Sequence, residues 1–358
     1  MRIGIIGAGQ LGQMLGFAAR ELGHECYFLD PSDAPPAAKA GPVIQAAFDD
    51  RVALSILAEK CDVLTYEFEN VPVEALQDIA DKVPVYPPHD ALRLAQDRLT
   101  EKQLFEQLDI PLPKYHPIDS VDDLRQAVES IGLPLVIKTR HMGYDGKGQF
   151  VLRDEKLVGA AWQELGGKAL IAEQWVNFDF EVSAIGVRSA NGDIATYCLT
   201  HNEHAAGILR VSRAPVEDDV LTDKATRYMR RMLEHLDYVG VLALELFVVG
   251  NKLLANEFAP RVHNSGHWTI EGAETSQFSN HILAVTDATP GSTATVGHAG
   301  MINLIGNIPD AARELGDGAL HDYGKSARPG RKLGHITVVA DSAEGRDTLI
   351  ECINQSVT

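Results

Sequence analysis

Two carboxylates and a carboxamide interrupt an otherwise apolar stretch of the chain. Residues 241–249 read Val-Leu-Ala-Leu-Glu-Leu-Phe-Val-Val around Glu245, and residues 253–258 return with Asn256 and Glu257 among apolar neighbours. Burying such groups is expensive unless they hold a cation; ion pairing to arginine or lysine is the alternative. Gly250-Asn251 signals a hairpin turn between the two segments. With a two-residue turn and unbroken pairing, Asn256 would face Glu245 and Glu257 would point to the other side of the sheet. A three-residue loop, Gly250-Asn251-Lys252, or an equivalent bulge puts Glu257 opposite Glu245, and one of these is expected.

Phosphate chemistry is suggested upstream. Lys138 ends the apolar run 133–138, where a lysine needs an anionic partner. Five residues later comes Gly143-Tyr144-Asp145-Gly146-Lys147-Gly148, followed by Gln149. Such a loop can fold over phosphates while its lysines neutralise them. No Gly-Lys-Ser/Thr ends it, so it is no Walker A motif, and a plain hairpin tip is the alternative. Glu173-Gln174-Trp175-Val176 closes another strand candidate, whose backbone groups suit an adenine edge, and Glu181 suits ribose hydroxyls.

The opening turn, Gly7-Ala8-Gly9-Gln10-Leu11-Gly12, follows a strand, opens a helix and is succeeded by Asp30 at the end of the next strand. It has the form of a dinucleotide fingerprint. It is equally a tight turn of any doubly wound domain, or a cradle for the single phosphate of a sugar phosphate. Arg261-Val262-His263-Asn264-Ser265-Gly266-His267-Trp268 gathers a fixed cation, imidazoles, a carboxamide and a hydroxyl, as a recognition loop for a small substrate does. No nucleophile elbow surrounds Ser265, which sets a hydrolase triad aside. Lys325, Arg328, Arg331 and Lys332 form a basic stretch, either a solvated turn or a phosphate clamp.

The elements that must position these groups fall into three stretches. Residues 1–95 alternate strand candidates (3–6, 26–29, 63–66) with helical ones (10–22), the βαβ order of an open parallel sheet. Residues 96–285 carry strand-rich portions around 134–185 and 194–258, with a long helical run at 218–236, and a glycine-loop lid is expected at about 115–180. Beyond 286 a Gly/Thr/Ala/Pro-rich connection at 290–300 leads to a small β-rich tail with strands at 301–304 and 335–339. The 358 residues are 45% hydrophobic and 23% charged, a globular composition that excludes disorder, collagen and coiled coil. Lys+Arg 32 against Asp+Glu 50 gives a net charge of −18, which argues against general nucleic-acid binding but leaves room for a local basic pocket. Cys26, Cys61, Cys198 and Cys352 form no metal or disulfide pattern and read as reduced cytosolic thiols. Neither a secretion signal nor a membrane span is expected.

Together these motifs resemble the ATP-grasp enzymes, and among them the 5-(carboxyamino)imidazole ribonucleotide synthetases, the ATPase subunits of phosphoribosylaminoimidazole carboxylase. Thr65-Tyr66-Glu67-Phe68-Glu69-Asn70-Val71, Asp97-Arg98-Leu99-Thr100 and Arg328-Pro329-Gly330-Arg331-Lys332 extend the likeness over most of the chain. The resemblance implies an α/β, three-part ATP-grasp architecture. It comprises an N-terminal doubly wound parallel-sheet domain (1–95), two α+β nucleotide-clamping subdomains (96–285) and a small C-terminal β-rich tail (286–358).

It also implies roles. Arg98, Lys138, the loop from Gly143 to Gln149, Glu173, Gln174, Trp175, Val176, Glu181 and His204 match ATP-binding positions, with Asn256 and Glu257. Glu245 and Glu257 match magnesium-binding positions, for which two ions are expected. Gln10, Leu11, Glu67, Tyr144, Asp145, Arg261, His263, Asn264, Ser265, Lys325 and Arg331 match positions around aminoimidazole ribonucleotide. Asp145, Tyr144, Arg261 and Lys325 are the catalytic candidates.

The implied reaction transfers the ATP γ-phosphoryl group to bicarbonate, giving carboxyphosphate. Carboxyphosphate, or the carbon dioxide it releases, then carboxylates the ribonucleotide amine, and closure of the glycine loop would exclude water. A cytoplasmic homodimer acting on small molecules alone is the family expectation. Three alternatives stay open: a formate-dependent glycinamide ribonucleotide transformylase, an NAD-dependent oxidoreductase resting on the opening turn, and a non-catalytic nucleotide-binding module.

Overall fold

The computed structural model describes residues 1–142 and 148–357. Its first sheet is parallel, in the order β3-β2-β1-β4: β1 (Arg2–Ile6), β2 (Glu25–Asp30), β3 (Val43–Gln45) and β4 (Val63–Tyr66). β1 and β4 are apolar because helices cover both faces. The helix Gln10–Glu21 begins directly after β1 and buries Leu11, Met14, Leu15, Ala18 and Ala19, an apolar stripe at helical spacing.

A second, antiparallel sheet runs β5-β8-β6-β7: β5 (Tyr115–Ile118), β6 (Leu135–Thr139), β7 (Gln149–Leu152) and β8 (Leu170–Gln174). The helices Val121–Ile131 and Val158–Leu165 close its core through Leu124, Ala127, Val158 and Ala161 against Leu135, Ile137 and Leu170. Ser120 and Asp123 form a capping box at the first of these helices, satisfying its orphan N–H groups.

The third sheet has nine strands. β9 (Phe180–Arg188), β10 (Ile194–Thr196), β11 (Thr200–Ala205), β12 (Ile208–Ala214), β13 (Gly240–Val249) and β14 (Lys252–Ala259) come from the middle of the chain. β15 (His298–Ile305), β16 (Ala319–Asp322) and β17 (Lys332–Ala340) come from the tail, in the order β14-β13-β9-β11-β12-β15-β17-β16 with β10 added on β9. The tail strands are therefore not a separate layer. β15 pairs with β12, Val211 opposite Ile302, and covers an edge that would otherwise be open. The last helix, Ala343–Val357, lies in a region with no sequence motif and packs Ile350 and Ile353 onto Ile302, Ile336 and Val338. Among the described residues no helix is long and apolar enough to cross a membrane.

Candidate functional site

A cleft of about 720 Å³ opens where the carboxyl ends of the parallel strands meet β13 and β14. It brings together Gln10, Leu11 and Glu67 from the first sheet, Arg98 from the helix Arg98–Gln107, and Glu245, Glu257, Arg261 and His263 from the central hairpin and the loop after it. Positions some 250 residues apart in sequence thus share one wall.

The hairpin reaches the expected juxtaposition by its second route. Val249 pairs with Lys252, so the turn is the two-residue Gly250-Asn251, with Gly250 at φ +55. Leu246 pairs with Ala255, then the register shifts and Glu245 pairs with Glu257. Asn256 is the extra residue of a bulge, and the bulge turns Glu257 onto the face of Glu245. Glu257 accepts from Arg98 at 2.9 Å, and Glu245 Oε1 lies 3.2 Å from His263 Nε2. His263 Nδ1 accepts from the Ser265 N–H, which leaves the ring proton on Nε2; burial and then the nearby Arg261 cation keep this imidazole neutral. Burial and the charge of Glu257 raise the Glu245 carboxyl. Glu257 moves the opposite way: burial would raise it, but Arg98 outweighs this, and 42% of its side chain stays open. Two facing hard-oxygen donors, one of them held up by the other's charge, are a set whose repulsion a small divalent cation relieves. Among the described residues no group of three or more His, Cys, Asp or Glu side chains is arranged to hold a metal alone, so such an ion would also need phosphate oxygens or water.

Lys138 does have an anionic partner. Glu173, 3% exposed, accepts from Lys138 Nζ at 2.9 Å and lies 3.8 Å from Lys102 Nζ. Burial is the main cause lowering Lys138. Against its own burial, Glu173 is drawn down to about 2 by Lys102, Lys138 and Arg98. Both lysines engage Glu173 through Oε2, while its buried Oε1 has no hydrogen-bond partner among the described residues. The strand end offers fewer donors than expected, because the N–H groups of Gln174 and Trp175 go to the carbonyls of Lys114 and Pro134. Glu181 and His204 form their own pair at 3.2 Å. None of Lys138, Glu173, Gln174, Trp175, Val176, Glu181 or His204 lines the cleft itself.

The opening turn is occupied by the chain's own acids. The Ala8 N–H donates to Asp30 Oδ2 at 2.9 Å and the Gly9 N–H to Glu67 Oε1 at 2.7 Å. A Cβ on Gly7, whose φ is +101, would meet Glu67 at 2.8 Å. The two donors that a pyrophosphate would need are taken, which removes the basis for a dinucleotide there. Gln10 instead receives Lys325 Nζ across the cleft rim. Burial lowers Lys325 to about 8.

The polar loop divides. Arg261 faces the cleft and donates to Glu69 Oε2 through Nε at 3.1 Å and Nη2 at 2.5 Å. Asn264 is locked in a reciprocal amide pair with Asn303, at 3.0 and 2.8 Å. Ser265, fully buried, bonds Ser183 at 2.7 Å, and Trp268 donates to Thr200 at 3.0 Å. Asn264 and Ser265 thus brace the loop in this structure. Arg331 donates to Ser326 and is not part of the cleft wall, whereas Lys332 is. Tyr144, Asp145, Gly143, Gly146 and Lys147 lie outside the described residues; Gly148, just beyond them, takes φ +71 beside Thr139.

Sequence reasoning passed over Glu69, Glu101 and Arg140, all in the cleft wall. Glu69 sits within the quoted Glu67–Asn70 run; Arg140 is tied to Asp97, and nothing in its local sequence marks it. Burial pushes the Glu101 carboxyl up to about 7.

Three family models match the chain: an ATP-grasp domain over residues 103–278, a ribonucleotide synthetase preATP-grasp domain over 1–96, and a phosphoribosylaminoimidazole carboxylase C-terminal domain over 299–347. The chain is 49% identical to the N5-carboxyaminoimidazole ribonucleotide synthase of Pseudomonas aeruginosa over 340 residues, 94% of each chain. It is 45% identical to that of Brucella melitensis, over 94% of this chain and 95% of the relative. Among solved structures, N5-carboxyaminoimidazole ribonucleotide synthetase from Thermus thermophilus superposes with a TM-score of 0.95 at 48% identity, covering 99% of this chain and 98% of the other. N5-carboxyaminoimidazole synthase from Aspergillus clavatus, in complex with ADP and 5-aminoimidazole ribonucleotide, superposes at 0.92 with 29% identity, over 99% and 98%.

Proposed function

The chain belongs to the N5-carboxyaminoimidazole ribonucleotide synthase family of ATP-grasp ligases, and we propose that its cleft carries out the ATP-dependent carboxylation of 5-aminoimidazole ribonucleotide in purine biosynthesis. The observation that carries this is the pairing of Glu245 with Glu257 across the bulge, beside Arg98 and on the same wall as Gln10, Glu67 and Arg261.

In this proposal Glu245 and Glu257 hold magnesium, whose chemistry is to offset charge on the phosphate oxygens. Arg98, Lys138 and Lys147 neutralise the triphosphate, and Glu181 and His204 with residues 173–176 hold the nucleoside. The ribonucleotide sits between Gln10, Leu11 and Glu67 on one side and Arg261 and His263 on the other, with Lys325 and Arg331 toward its phosphate. Bicarbonate is a poor electrophile; phosphorylation by ATP to carboxyphosphate turns it into a donor of carbon dioxide to the 5-amino group, leaving ADP and phosphate. Asp145 accepts the amine proton, and Asp145 and Tyr144 orient the amine. A second magnesium ion, a homodimer, a cytoplasmic location and domain limits near 95 and 285 belong to the same proposal.

Joint dependence of ADP release on aminoimidazole ribonucleotide and bicarbonate tests it. Release that follows formate and glycinamide ribonucleotide instead would assign the transformylase reaction. Turnover of Asp145→Asn equal to the parent would remove the proton-acceptor role.

A further inference from the structure

The carboxylates of the proposed site face each other only because β14 carries an extra residue, and the outer edge of that strand is gripped at the irregularity. β14 lies at the edge of its sheet. Its Ala255 N–H donates outward to the Pro111 carbonyl at 2.7 Å. The next outward donor is the Phe258 N–H, which meets Glu101 Oε1 at 2.8 Å. In an unbroken strand outward N–H groups recur every second residue; here they are three apart, because Asn256 is inserted. The Asn256 carbonyl accepts from Lys102 Nζ. Glu101 and Lys102 are 2% and 0% exposed, and both sit on the helix Arg98–Gln107, one turn after the Arg98 that pairs with Glu257. One helical face therefore touches the residue before Glu257, Glu257 itself and the residue after it.

We infer that Glu101 and Lys102 are positioning residues that fix the register of β14, so that Glu257 rather than Asn256 faces Glu245. Without them the strand has a competing pairing, the unbroken register set by the two-residue turn, in which Glu257 points to the opposite face of the sheet. With the Ala255 N–H already turned outward to Pro111, a carboxylate on the Phe258 N–H and an ammonium on the Asn256 C=O along that same edge match only the bulged strand. Neither residue has to touch a ligand for this, and Lys102 does not reach the cleft wall. The inference rests on Glu245 and Glu257 being the magnesium carboxylates.

The test is calorimetric titration of the full chain with ADP, in magnesium chloride and in EDTA, with circular dichroism of each variant. In Lys102→Met and in Glu101→Leu the enhancement of ADP affinity by magnesium should fall roughly fivefold or more, while affinity in EDTA stays within about twofold of the parent. Glu101→Gln keeps an acceptor for the Phe258 N–H and should retain the enhancement. Should Lys102→Met fail to fold, the contrast between Glu101→Leu and Glu101→Gln decides. The inference is overturned by an unchanged magnesium enhancement in Glu101→Leu or by equal losses with and without magnesium. It is also overturned if Glu101→Gln is as damaging as Glu101→Leu, which would make Glu101 a direct ligand. An unaltered chain whose ADP binding ignores magnesium would instead sink the metal assignment beneath it.

Discussion

Glu245 and Glu257 differ only in what surrounds them. Glu257 has Arg98 at 2.9 Å and is held as the carboxylate, whereas Glu245 faces that negative charge and a neutral His263. Replacing either acid by glutamine should lower kcat by more than the roughly 10–100-fold that loss of an outer-shell partner costs, as measured by ADP release at saturating substrates. Lys325 carries a pH dependence. Only its ammonium form attracts a phosphate, and burial lowers it to about 8. The KM for aminoimidazole ribonucleotide should therefore rise as pH climbs through about 8, while the KM for ATP does not follow. Lys325→Gln should raise that KM about tenfold or more below pH 8 and flatten the profile, which a pH series on both proteins checks.

Single elements set the geometry that these residues use. The turn after β1 holds Glu67 against the Gly9 N–H, and Gly7 leaves room for it at a φ of +101. Gly7→Ala forces a left-handed conformation on a residue with a side chain and drives a methyl into Glu67, a cost of about 1–3 kcal/mol. Denaturant unfolding should record that loss, and the KM for the ribonucleotide should rise with it. The hairpin shows how far local pattern reaches. Composition marks Glu245, Asn256 and Glu257 as costly in their strands, and Gly250-Asn251 marks the turn. Yet the bulge that decides which of Asn256 and Glu257 faces Glu245 is held by Glu101 and Lys102, about 155 positions away.

At the scale of the molecule, buried imidazoles join the sheets. His281 lies between Thr65 of β4, at 2.8 Å, and the Val241 N–H of β13, at 3.1 Å. Burial lowers it to about 3, and it lowers His267 and His335 well below their usual range. The unfolded chain takes up these protons first, so the stability is complete above about pH 6.5 and is lost as pH falls. The slope is about 1.4 kcal/mol per pH unit for each such histidine. Urea midpoints should drop between pH 7 and 5, and His281→Gln, less stable at pH 7, should lose less on acidification.

Periodicity, glycine spacing and isolated charges in apolar runs were enough to determine the parallel first domain, the hairpin, the lysine that needed an anion and the family resemblance, because those signals reside in neighbouring residues. Long-range contacts settled the rest. Glu173 meets two lysines, Asn264 pairs with Asn303, Ser265 with Ser183, and the Gly9 N–H with Glu67, none of which local sequence reveals. The tail strands could have formed a sheet of their own or extended the central one. Each choice depends on which distant group desolvates the site first, and a buried donor or acceptor takes whichever partner the packed chain delivers.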